Sequence, residues 1–224
     1  MQVNGHLFEQ LLKASGYKDM SCMELLKHGA QIVGSLECSG IGTPIGEAST
    51  PDPSKLWSNR HEANAELLRS LHEDEHAEEM LKLTQDDAKK GWMSDPVPLH
   101  RSKLMQTGML CLRFAVAKTK EDGSTKLRAV DNLSWGATVC LEQSQRPTKR
   151  ARKTVSVNGN TMPNEKLKHH TLDSFVDLLK NFRKVVGCLP AMCKADIDAA
   201  FRRVPIAPES RWACGIAFLA NGVV

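Results

Sequence analysis

An α+β fold is predicted for this chain from three features of its sequence. Residues 1–98 carry apolar positions at helical spacing between glycine and proline stops. Beyond them, two apolar runs, Leu110-Cys-Leu-Arg-Phe-Ala-Val-Ala-Lys118 and Lys126-Leu-Arg-Ala-Val-Asp-Asn-Leu-Ser134, flank Glu121-Asp122-Gly123-Ser124. Asp-Gly between such runs is a strong hairpin signal, because those residues tolerate the positive φ of a tight turn. A helical stretch over 172–182 then precedes a second strand-like pair of segments around 194–205 and 211–222. Helices grouped first and strands grouped later belong to α+β rather than to an alternating parallel-sheet architecture.

Taken in order, 8–14 and 20–27 have helical spacing, with Gly16 and Gly29 as stops. Residues 34–53 hold Gly34, Gly40, Gly42, Pro44, Gly46, Pro51 and Pro53, the composition of a linker or irregular loop. The longest helical pattern runs over 59–90, with Leu67, Leu68, Leu71, Met80, Leu81 and Leu83 among many charges, and Gly91 closes it. Asp95-Pro-Val-Pro98 breaks the chain before the hairpin strands. A polar, proline-containing insertion over 142–164 follows the hairpin, within which Thr154-Val-Ser-Val157 before Asn158-Gly159 suggests a short hairpin of its own.

Composition narrows the function classes. Of 224 residues 41% are apolar, enough for a core, and no run approaches the ~18 apolar residues of a membrane span. The start, Met1-Gln-Val-Asn-Gly-His, has neither the basic head nor the apolar stretch of a signal peptide. The seven cysteines are odd in number and lack any Cys-x-x-Cys, which argues against a secreted disulfide framework and a zinc ribbon. An intracellular chain, cytoplasmic or nuclear, with reduced thiols is expected. The net charge of +4 is unevenly spread. Acids crowd 62–87, whereas Arg146, Lys149, Arg150, Arg152 and Lys153 form a basic cluster suited to nucleic-acid phosphates or, equally, to a solvated loop.

Within the long helical pattern lies His72-Glu73-Asp74-Glu75-His76. On a helix, histidines four apart share a face and can reach one Zn²⁺, with the glutamate between them as general base. The middle positions here are Asp74 and Glu75, followed by Glu78 and Glu79, which reads as a solvated acidic face. No compelling third ligand follows, so a zinc metalloprotease is a distant third reading.

The segment richest in chemistry is Lys194-Ala195-Asp196-Ile197-Asp198-Ala199-Ala200-Phe201-Arg202-Arg203-Val204-Pro205. A carboxylate at a strand end can hold Mg²⁺, since hard divalent cations take oxygen ligands. This run resembles the first catalytic motif of reverse transcriptases, and the hairpin resembles their fingers hairpin, Phe-x-Val-x-Lys, a polar tip, then Lys-x-Arg-x-Val-Asp-x-x-Ser. One departure is Arg128-Ala-Val-Asp131, a residue shorter than the Arg-x-x-Val-Asp spacing of many members. The resemblance covers 99–224 and implies fingers and a partial palm of a right-hand polymerase, divided as 1–98 helical region, 99–187 fingers-like and 188–224 start of palm. It implies RNA-directed DNA polymerisation in a retroelement, on an RNA or DNA template-primer with dNTPs and no membrane. Asp196 would be catalytic and bind the metal with the Ile197 carbonyl. Lys118 and Arg128 would clamp the triphosphate with backbone N–H groups near Ala199 and Ala200, and Phe201 would exclude a 2′-hydroxyl. Mg²⁺ is the implied cofactor, held weakly by so few ligands.

The family's second acidic motif, Tyr/Phe-x-Asp-Asp, is missing. The one Asp-Asp pair, Asp86-Asp87, lies before the hairpin. Three structural expectations follow. A three-residue loop at Asp122-Gly123-Ser124 sets Lys118 directly opposite Arg128 on one face, and a two-residue loop at Asp122-Gly123 throws them to opposite faces. Asp196 should end a strand beside the Phe218 strand. Exposed apolar surface should lie around Ile197, Val204, Ile216 and Phe218. A nucleic-acid-binding remnant without catalysis is the alternative function.

Overall fold

The computed structural model describes residues 4–18, 20–36, 38, 42–45, 51–140, 152–166, 169–193 and 200–224, with backbone alone for 137–140, 152–154 and 200–201. In chain order the helices are α1 (Gly5–Ala14), α2 (Ser21–His28), α3 (Pro53–Ser58), α4 (Arg60–Ser70), α5 (Ala77–Lys89), α6 (Leu104–Thr107), α7 (Leu172–Val186) and α8 (Ala200–Arg203). The strands are β1 (Gly34–Leu36), β2 (Thr43–Pro44), β3 (Leu110–Thr119), β4 (Thr125–Asn132), β5 (Ala137–Cys140), β6 (Arg152–Val155), β7 (Thr161–Pro163), β8 (Glu165–Lys166) and β9 (Gly215–Ala217). The class is α+β.

β3 is the central strand. It pairs antiparallel with β4 and parallel with β9, giving the order β4-β3-β9. Both predicted N-terminal helices form, and Gly29 at φ +88° ends α2. A Cβ on Gly29 would lie 2.5 Å from the Ala207 nitrogen, so only glycine lets this turn meet 205–207. There Ala30 N–H donates to the Pro205 carbonyl at 2.7 Å and Ala207 N–H to the Ala30 carbonyl at 3.0 Å.

Three segments behave differently from what their sequence suggests. The glycine- and proline-rich stretch, expected as a linker, supplies β1 and β2, which pair with β7 and β8. Thr154-Val-Ser-Val157 joins no local hairpin; β6 pairs antiparallel with β5, and a 3₁₀ turn occupies Asn158–Asn160. The pattern over 59–90 is not one helix. It divides into α4 and α5 around 71–76, where Leu71 turns extended at ψ 133°. Asp74 Oδ1 accepts the His76 N–H at 2.8 Å, and local side chain–backbone bonds of this kind compete with helix continuation.

The core gathers where α3 and α4 meet the start of β3. Val33, Leu56, Ala63, Met109, Cys111, Val155, Val157 and Ala213 form one buried cluster, with Trp135 and Trp212 against it. Leu67, Leu110 and Ala217 centre a second. Buried Asn64 joins helix to strand, donating to the Gly108 carbonyl at 2.9 Å and accepting the Leu110 N–H at 2.8 Å. Exposed apolar surface lies on α7 rather than on the half-buried Val204, Ile216 and Phe218; Leu178 is 63% and Val185 84% exposed. Among the described residues no helix is long and apolar enough to cross a membrane.

Candidate functional site

Arg113 interrupts an apolar strand, and a guanidinium inside a protein must find acceptors. It is 1% exposed. Its Nε donates to Asp131 Oδ1 at 2.6 Å and its Nη2 to Asp131 Oδ2 at 3.1 Å, a bidentate fork that fits the carboxylate plane. Nη1 donates to the Thr84 hydroxyl on α5 at 2.8 Å, and that hydroxyl donates on to the Met80 carbonyl. Asp131 also meets Arg202 Nη2 at 3.3 Å, and the same nitrogen lies 3.4 Å from Asp87. Arg203, next on α8, places its guanidinium 5.9 Å from the centre of the Trp92 ring. The base of the hairpin is thereby tied to α5 and α8 through two arginines and two aspartates.

The tip is built from the same strands but carries cations outward. The register pairs Lys118 with Lys126 and Val116 with Arg128. Lys120 N–H donates to the Ser124 carbonyl at 2.8 Å, so the loop is Glu121-Asp122-Gly123, with Gly123 at φ +78°. This corrects the expected loop by one residue: Lys118 and Arg128 are diagonal rather than directly opposite. They still share a face, because strand side chains alternate with period two. Asp122 shapes the turn by accepting the Ser124 N–H at 2.8 Å and the Ser124 hydroxyl. The hydroxyl bond, then the amide bond, lowers its pKa below the ordinary aspartate value.

Of the other candidate residues, Asp196, Ile197 and Ala199 lie outside the described residues, as do Arg146, Lys149 and Arg150. Ala200 and Phe201 begin α8, and Arg152 and Lys153 lie in β6, by backbone alone. The expected strand ending at Asp196 is likewise outside; β9, its expected neighbour, pairs with β3.

His72-Glu73-Asp74-Glu75-His76 loses the helix its chemistry requires. The Glu73 carboxylate instead accepts the Asn221 and Gly222 N–H groups, pinning the turn at 221–222. Among the described residues no group of three His, Cys, Asp or Glu could hold a metal. Burial, more than any charge, pushes the Cys111 thiol up to about 12 and the Cys214 thiol to about 11, so neither is a ready nucleophile. A cleft lined by Leu71, His72, Met80, Leu112 and Phe218 offers about 30 Å³, far below the ~300–1,000 Å³ of small-ligand pockets.

Sequence reasoning missed Arg113, Thr84, Asp87 and Arg202 as one network, although Arg113 inside an apolar run was a visible signal. It also passed over Lys120 and Lys126, which the register adds to the Lys118–Arg128 face. No protein-family model, no curated protein and no solved structure matches this chain.

Proposed function

We propose that this chain is a reverse-transcriptase-like protein, an RNA-directed nucleotidyltransferase by descent, whose fingers-like hairpin binds the phosphates of an incoming nucleotide. The observation that carries the reading is that Lys118 and Arg128 share one exposed face of the β3–β4 hairpin. A transferring phosphoryl group needs cations aimed at its developing charge, and two exposed cations on a ribbon can supply them. The order hairpin, α7, Asp196 motif, and the Arg202–Asp131 bond from α8 to the hairpin base, agree with it.

Mg²⁺ is what the family implies, and the described residues do not fit a site for it. The two acids against α8, Asp87 and Asp131, are both engaged by Arg202, and Asp131 also by Arg113. Asp196 would bring a single carboxylate, and one carboxylate rarely replaces enough of the hydration of so strongly hydrated an ion. With no Tyr/Phe-x-Asp-Asp in these 224 residues, polymerisation by this stretch alone is not expected. The exposed cations Lys118, Lys120, Lys126 and Arg128 support a second reading, nucleic-acid binding without catalysis.

The test is primer extension with dNTPs on a primed RNA template, beside binding of a fluorescent dNTP. Triphosphate binding lost in Lys118→Gln/Arg128→Gln, with no incorporation, supports a non-polymerising relative. Incorporation abolished by Asp196→Ala requires a carboxylate partner not yet identified. Failure to bind dNTP at all, with oligonucleotide still bound, leaves the remnant.

A further inference from the structure

We propose that the cationic face of the β3–β4 hairpin, made by Lys118, Lys120, Lys126 and Arg128, is a binding track for the phosphodiester backbone of a single nucleic-acid strand. It rests on the nucleic-acid reading above but not on nucleotide chemistry, and it holds even if the triphosphate site fails.

Three observations carry it. First, the register puts all four cations on one face. Lys118 pairs with Lys126, Arg128 pairs with Val116 two residues toward the base, and the Lys120–Ser124 bond continues the ladder two residues toward the tip. Alternation then assigns the even-numbered positions to a common side. The opposite side carries Ala117, Thr119, Thr125, Leu127 and Ala129, with no charge among them. Second, all four cations are exposed, and none forms an ion pair among the described residues. The arginine at the base of the same hairpin, by contrast, is buried and bonded to Asp131. Third, the track is long. From Arg128 to Lys120 is four residues of strand, ~14 Å at ~3.4 Å per residue. That exceeds a triphosphate, whose phosphates share bridging oxygens, and suits successive phosphates of a chain. A phosphate chain rewards such a track by releasing counterions, with no demand for a pocket.

The tip sets one limit on the track. Asp122 is turned onto Ser124, whereas Glu121 stands beside Lys120 in the chain and opposes an anion there.

The experiment uses the full chain and a labelled single-stranded DNA oligonucleotide, its affinity followed by anisotropy across a salt series. Lys120→Gln/Lys126→Gln should weaken binding several-fold at low salt. It should also flatten the log K against log salt slope by about 1.4, two contacts at ~0.7 each for a single strand. Glu121→Gln should tighten binding. Fluorescent dNTP binding should be unchanged by Lys120→Gln/Lys126→Gln and lost in Lys118→Gln/Arg128→Gln, which separates this proposal from the triphosphate reading. All these positions are exposed, and circular dichroism checks that the fold persists. The proposal is overturned if the chain binds no oligonucleotide, or if Lys120→Gln/Lys126→Gln leaves affinity and slope unchanged. It is overturned too if vesicles of anionic phospholipid compete as well as unlabelled oligonucleotide of equal charge, since the track would then bind any anionic surface.

Discussion

At the base of the β3–β4 hairpin, Arg113 is buried and forked onto Asp131; at its tip, Lys118, Lys120, Lys126 and Arg128 stand in solvent. The two regions share strands, twist and a taste for basic residues. They differ in what lies over them. α5 covers the base and supplies Thr84 as a further acceptor, while no described element packs on the tip. A cation under a helix must be satisfied inside the protein and becomes part of the fold. A cation on an uncovered ribbon keeps its water and its freedom, and can be offered to a ligand. The base also uses arginine, whose planar fork meets both oxygens of Asp131, where a lysine would reach one and leave the other to Arg202.

The largest test of that difference is Arg113→Met beside Arg128→Met. Removing Arg113 leaves the Asp131 carboxylate partly buried with Arg202 alone, and breaking a buried pair costs about 3–5 kcal/mol. Arg128→Met, on the exposed strand face, should stay within about 0.5 kcal/mol. Urea unfolding of both variants decides it; equal losses would mean that base and tip are energetically alike.

Thr84→Val sharpens the picture at smaller scale. It keeps the shape of the side chain but removes the hydroxyl that accepts from Arg113 Nη1. Nη1 then keeps only the Met93 Sδ at 3.7 Å, a weak acceptor, and a buried donor so poorly matched costs about 1–3 kcal/mol. Thr84→Ser, which restores the hydroxyl, should recover most of it. If valine is as stable as threonine, water has reached the Arg113 guanidinium and the base is not sealed.

These residues also show how far sequence reaches. The hairpin, α1, α2 and α7 were legible because turn chemistry and helical spacing are local. The break at 71–76 was not, since Asp74 and Glu73 turn from a helix face to backbone N–H groups, two of them in the turn at 221–222. The β1–β7 and β2–β8 pairs join segments more than a hundred residues apart, a non-local fact that glycine-rich composition conceals. At the site, Lys118 and Arg128 could be named from their motif. Their register depended on whether the loop began at Glu121 or Asp122, and the hydrogen bond of Lys120 to Ser124 settles that locally. Asp87 looked like one more solvated acid because its partner Arg202 lies beyond the whole hairpin.

Arg202 is an intermediate case between base and tip. Its side chain is 30% exposed, and it meets Asp87 and Asp131 at 3.4 and 3.3 Å. Arg202→Gln should therefore cost no more than about 1 kcal/mol, as for partly solvated pairs, and the cost should shrink as salt is raised. A salt-independent loss as large as that of Arg113→Met would extend the buried network to α8. Hydrogen exchange at 202–203 supplies a local readout, with faster exchange expected in the variant.

The smallest effect belongs to the turn that joins the two strands at the tip. Asp122 holds its proton less tightly than an ordinary aspartate, first through the Ser124 hydroxyl and then through the Ser124 N–H. A carboxyl whose folded pKa is depressed stabilises the fold above its unfolded pKa, ~3.9, and that contribution disappears as pH falls through the lower folded value. Nuclear magnetic resonance titration of the Asp122 carboxyl should thus place its midpoint below that of a model peptide. Asp122→Asn should remove the acid-side loss of turn order, seen as a flat Ser124 amide shift across the same range. The tip stays open to solvent, so global stability should barely register the change, whereas the amide of Ser124 should report it directly. A midpoint at or above the peptide value would mean that the turn does not hold the charged carboxylate, and that the backbone of the tip is less ordered than that of the base.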